Sequence, residues 1–116
     1  MQREIKFKIY DKNDTDCIIG PFDWNKLPNF LYPDNFTLLQ YTGLNDSKGN
    51  EIYEGDIVEY SGSLMYVIEW DDLYMKFKAS TITNQDGMYE LTTGELKQSN
   101  IIGNIFKNSE ILNNIF

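Results

Sequence analysis

Two groups of carboxylates are the residues best suited by type and spacing to do chemistry. Glu51, Glu54 and Asp56 lie in one short stretch, and Glu69, Asp71 and Asp72 form a second. Paired carboxylates can act as general acid and base or hold a divalent metal. If the fold joined the two groups, Glu54, Asp56 and Asp71 would be the set used by a metal-dependent hydrolase. The same residues also have ordinary turn chemistry, since Asp accepts hydrogen bonds from backbone amides a few positions on. That structural role is the expectation here, and Asp56 is read as a turn residue.

The remaining reactive side chains narrow the chemistry further. The chain has no histidine, so the usual acid–base residue near neutral pH and the commonest metal ligand are missing. Cys17 is the only cysteine. It excludes an intrachain disulfide and a cysteine-rich zinc site, and its neighbours Asp11, Asp14 and Asp16 disfavour a nucleophilic thiolate. The loop from Asn45 to Glu51 fails as a calcium loop, because a register with Gly49 sixth puts Leu44 first and Gly55 last, where carboxylates are needed. Gly43 and Gly55 open no phosphate loop, since no Gly-Lys-Ser/Thr follows. Gly43, Gly49 and Gly55 are read instead as turn glycines, with positive φ expected at Gly43 and Gly55. No cofactor is expected.

Length and composition set the frame for these residues. A chain of 116 residues with 41% hydrophobic content is one domain with a single core. The net charge of −8 would repel a phosphate backbone on average. The positive residues alternate in pairs, Lys6 with Lys8 and Lys76 with Lys78, as on a solvated strand. Direct nucleic-acid binding is therefore not expected. Met1-Gln2-Arg3-Glu4 is polar, no apolar signal core follows, and no run is long enough to span a bilayer. The expectation is a cytoplasmic protein without membrane contact.

The pattern along the chain predicts mainly β structure. Glu4 to Tyr10 alternates polar and apolar residues with period two, ends in a polar turn, and is answered by Cys17-Ile18-Ile19 up to Gly20-Pro21. Residues 1–37 form this strand and an irregular extension rich in aromatics, including Trp24, Phe30, Tyr32 and Phe36. From 38 to 106 short strands are expected at 38–42, 56–60, 64–70, 74–79, 87–91 and 101–106. Gly43 to Gly55, Ser61-Gly62-Ser63, Asp71-Asp72 and Thr93-Gly94 separate them. Tyr41, Tyr53, Tyr60, Tyr66, Trp70 and Tyr74 are read chiefly as core and cross-strand residues. From 107 to 116, Asn108 is a good N-cap, and Ile111, Leu112, Ile115 and Phe116 recur at helical spacing. The expectation is a short C-terminal helix whose apolar face packs on the domain or on a second copy.

The stretch QYTGLNDSKGNEIYEGDIVEY, from Gln40 to Tyr60, resembles the YopX family, small proteins encoded by bacteriophages and prophages. REIKFKIYDKND near the start, VIEWDD from Val67 to Asp72 and IIGNIFKNSEIL from Ile101 to Leu112 carry the same resemblance. It implies a small SH3-like β-barrel with added terminal elements, in a bacterial host cell. The family has no established activity, so the resemblance supplies no catalytic residues. Together these features point to a non-catalytic phage or prophage accessory protein. It would bind a host or phage protein or assemble with itself, and Ile111, Leu112, Ile115 and Phe116 are its candidate interface. A different reading is an acidic mimic that occupies the basic groove of a DNA-binding host protein.

Overall fold

The computed structural model describes residues 4–12, 17–28, 35–62, 64–82 and 90–107. They form β1 (Lys6–Asp11), β2 (Ile18–Asp23), a 3-10 turn (Trp24–Lys26), β3 (Phe36–Asn45), β4 (Glu51–Tyr53), β5 (Asp56–Tyr60), β6 (Leu64–Asp71), β7 (Lys76–Thr81), α1 (Thr93–Leu96) and β8 (Asn100–Asn104). The strands make two four-stranded sheets, ordered β2-β1-β3-β4 and β7-β6-β5-β8, and every pairing is antiparallel. The protein is mainly β with one short helix. No closed barrel is detected among the described residues. The chain instead passes from one sheet to the other at a corner.

Glu54 and Gly55 make that corner. The Glu54 amide donates to the Gln40 carbonyl of the first sheet, while the Gly55 amide donates to the Ile68 carbonyl of the second. The Gly55 carbonyl in turn accepts from the Ile105 amide. Gly55 has φ of +83, and a Cβ there would lie 2.8 Å from the Phe106 ring. Glycine meets both constraints, since it reaches positive φ at little cost and leaves room for the ring.

The core cluster sits on β5, β6 and β7 and is closed by Ile52 of β4 and Leu96 of α1. Ile52, Val58, Tyr66, Ile68, Ala79, Leu91 and Leu96 form one buried cluster. Alternation on β1 works as the period-two pattern predicts, but both faces are used. Ile9 is fully buried. On the opposite face the Lys6 and Lys8 ammoniums sit 5.1 and 4.6 Å over the rings of Tyr41 and Tyr53, their stems lying along apolar surface.

Several elements differ from expectation, each for a local reason. The separator expected from Gly43 to Gly55 contains the end of β3 and all of β4, a strand defined by its pairing with β3 at Tyr41↔Tyr53 and Asn45↔Glu51. Gly20-Pro21 does not end β2, because the missing proline N–H is harmless on an edge strand. Tyr74 and Met75 belong to a turn, and β7 starts at Lys76. Thr93-Gly94 lies inside α1, whose N-cap Thr92 and Glu95 form a reciprocal capping box. Of the strand expected at 87–91, Glu90 makes an isolated bridge to Ser80. The expected C-terminal helix, with Ile111, Leu112, Ile115 and Phe116, lies outside the described residues, as do Phe30 and Tyr32.

Candidate functional site

The segment from Gln40 to Tyr60 builds a polar lattice at the junction of the sheets. Asp46 is its first node. The buried carboxylate of Asp46 accepts from the Lys48 and Asn50 amides, both at 2.9 Å, and from the Ile101 amide at 3.1 Å. The Asn50 side chain adds a fourth bond at 3.3 Å. Burial pushes this carboxyl up, but these hydrogen bonds outweigh it and leave it below its ordinary value of 3.8. Asp46 thus closes the loop around Gly49 and ties it to the start of β8. Gly43 and Gly49 have φ of +89 and +84.

Asp56 is the second node. Its oxygens accept from the Tyr53 amide at 2.7 Å and from the Asn104 side chain at 3.2 Å. Burial raises this carboxyl above its ordinary value, with the hydrogen bonds and nearby Lys8 opposing the rise. The Tyr53 hydroxyl donates to Glu51 at 2.9 Å, and burial together with Glu51 raises the phenol well above its usual range. The other Glu51 oxygen pairs with Lys6, which also meets Glu4 at 3.0 Å. Burial lifts the Glu51 carboxyl, but Lys6, Tyr53 and Lys8 bring it below its ordinary value of 4.5. A cleft of about 460 Å³, lined by residues including Lys8, Asn50, Tyr53 and Asp56, opens beside this lattice. The oxygens of Asp46 and Asp56 already hold backbone and amide donors, so their first role is to satisfy buried amides.

The carboxylates proposed as a catalytic set do not converge. Asp56 begins β5 opposite Ile68, whereas Asp71 lies three residues further along β6, roughly 10 Å away along the strand. Asp71 accepts from the Leu73 and Tyr74 amides at the next turn. Glu54 accepts from the Gln40 amide, and burial raises its carboxyl above the ordinary value. Among the described residues, no three His, Cys, Asp or Glu side chains are grouped so that they could hold a metal ion. Several surface carboxylates face lysines: Glu90 meets Lys76 at 2.9 Å, and Glu69 and Asp71 both lie 3.7 Å from Lys78.

The expected core role of Trp70 and Tyr74 does not hold at the far end of β6 and β7, which leaves both exposed. Tyr41, Tyr53 and Tyr66 are buried as core residues, but Leu73, Tyr74 and Met75 are 80%, 70% and 77% exposed, beside a 43% exposed Trp70. Met75 has φ of +55, a conformation uncommon for a side chain of this size. Trp70 and Phe77 meet edge to face at 5.0 Å. Both lie on the face of the ribbon that carries Ile68 and Ala79 into the core, as the register Trp70↔Phe77 and Ile68↔Ala79 requires. The core face of this hairpin therefore runs on past the core. Next to it lies a groove of about 570 Å³, lined by Leu44, Ile68, Phe77, Leu91 and Leu96 with a polar rim of Lys76, Glu90 and Thr93. The signal in the sequence was three large apolar residues directly after Asp71-Asp72, where a solvent-exposed turn is normally polar.

A two-sheet, mainly β protein with a polar lattice at its corner and an apolar hairpin tip is the class these features define. A family profile described as YopX protein matches residues 2–113, and the chain belongs to the YopX family. The crystal structure of protein EF1440 from Enterococcus faecalis is similar, with a TM-score of 0.66 at 21% identity, covering 96% of this chain and 99% of that one. A likeness at that identity shows a common fold. The comparison with curated proteins gave no match. Among the described residues no helix is long and apolar enough to cross a membrane.

Proposed function

We propose that this chain is a non-catalytic protein-binding module and that the β6–β7 tip is its contact surface. The observation that carries this reading is the run Leu73-Tyr74-Met75, which keeps three large apolar side chains in solvent. Contiguous exposed apolar surface is a common mark of an interaction site, and Tyr and Trp are favoured anchors. The lattice around Asp46 and Asp56 supports the non-catalytic half, because its carboxylates are taken up by the fold's own donors. The resemblance to phage and prophage proteins makes a host or phage-encoded protein, or a second copy, the natural partner. The fold reading that goes with this is an opened relative of the SH3-like barrel, supported by the hydrogen bonds that run through the Gly55 corner.

The test compares immobilised wild type with the double variant Leu73→Asp, Tyr74→Asp in host lysate at low and high salt. The expected result is one protein retained by the wild type at both salts and lost by the variant. Retention that ignores the variant sinks the assignment of the tip. Retention at low salt alone transfers support to the acidic-mimic reading, since screening weakens contacts between exposed charges.

A further inference from the structure

We propose that the first occupant of this surface is a second copy of the chain, each copy placing its β6–β7 tip in the apolar groove of the other. This rests on the protein-binding reading above. Two observations argue for a second copy over an unrelated partner. The tip and the groove adjoin, because Phe77 both stacks on Trp70 at the base of the tip and lines the groove. A two-fold axis beside Phe77 therefore brings each tip to the other's groove in one contact, as a two-fold interface requires. Their chemistry also matches: Leu73, Tyr74 and Met75 face Leu44, Leu91 and Leu96.

The area is of the right order. Reciprocal insertion would cover the exposed parts of four aromatic rings, which bury about 150–250 Å² each when fully enclosed, along with two leucines and two methionines. That approaches the roughly 1,200 Å² at which specific interfaces begin. The net charge of −8 on each copy opposes association, and salt screens that repulsion. The dimer is therefore expected to strengthen as salt rises, opposite to an acidic mimic on a basic partner.

The experiment measures the mass of the purified protein by sedimentation and light scattering across concentration and salt. Two variants accompany the wild type. Leu73→Asp with Tyr74→Asp disables the tip. Thr93→Glu, at an exposed position on the groove, sets a carboxylate where the incoming tip would rest and suits the first turn of α1. Circular dichroism and melting temperature establish that both variants fold. The expected result is a wild-type dimer, with each variant alone still monomeric at concentrations at least tenfold higher. A monomeric wild type overturns the proposal, as does a dimer that survives either variant. None of these outcomes decides the protein-binding reading, whose own measure is tip-dependent retention of another protein from lysate.

Discussion

Gly55→Val is expected to lower stability by about 2–6 kcal/mol and to leave little folded protein if the native margin is small. Two costs combine. A β-branched residue at φ of +83 is held in a region it rarely visits, which costs about 1–3 kcal/mol. The new side chain also meets the Phe106 ring, and overpacking of this kind costs about 1–3 kcal/mol. Neither strain is easily relieved by backbone movement, because the Gly55 amide and carbonyl are bonded to Ile68 and Ile105. Phe106 cannot move freely either, stacked on Tyr10 with ring centroids 4.8 Å apart. Gly62→Val is the control: its φ of +87 is equally unfavourable, but nothing lies within 4 Å of a Cβ there. Urea melts of the two variants separate the terms. Equal losses would show that the Phe106 contact contributes nothing, and an unchanged Gly55→Val midpoint would remove the corner from its structural role.

Asp46→Ala is expected to cost about 3 kcal/mol, because it strips a buried acceptor from three backbone amides and leaves donors unpaired. Asp46→Asn should cost less. Its oxygen can keep the Lys48 and Asn50 amides, but its NH₂ would then face the Ile101 amide and the Asn50 side chain, which are donors themselves. The pH dependence has a defined sign. Asp46 and Glu51 are depressed in the fold, so their stabilisation is present above their unfolded values and is lost as pH falls below about 4. Asp56 and Glu54 are raised, so the folded state takes up their protons first, and acidification toward about pH 4 favours it at these two sites. Acid unfolding below that point should therefore be shallower in Asp46→Asn than in the wild type. Equally steep curves in urea melts at successive pH values would sink the assignment to Asp46.

Much of this protein was legible from local pattern. The alternation of β1 and the β-branched run of β5 announce strands because side-chain period and backbone preference act within a few residues. Ser61-Gly62 closes β5 onto β6 with φ of +57 and +87, as turn chemistry at that dipeptide implies. The stretch from Gln40 to Tyr60 also sufficed for the family. The capping box of α1 is legible as Thr92 and Glu95, three residues apart, although Thr93-Gly94 between them has the composition of a strand separator.

By itself, then, the sequence determined the mainly β class, most strand positions, the family and the want of histidine chemistry, because each depends on residue type or near neighbours. Tertiary structure alone decided the rest. β4 is too short to show a period and exists through its pairing with β3. Asp46 and Asp56 look like turn residues until Ile101 and Asn104, 55 and 48 positions away, arrive as their donors. Tyr66 and Tyr74 are alike in type, yet one is enclosed and the other stands in solvent, because burial depends on which distant strand covers a side chain and at the end of the β6–β7 ribbon the core has run out.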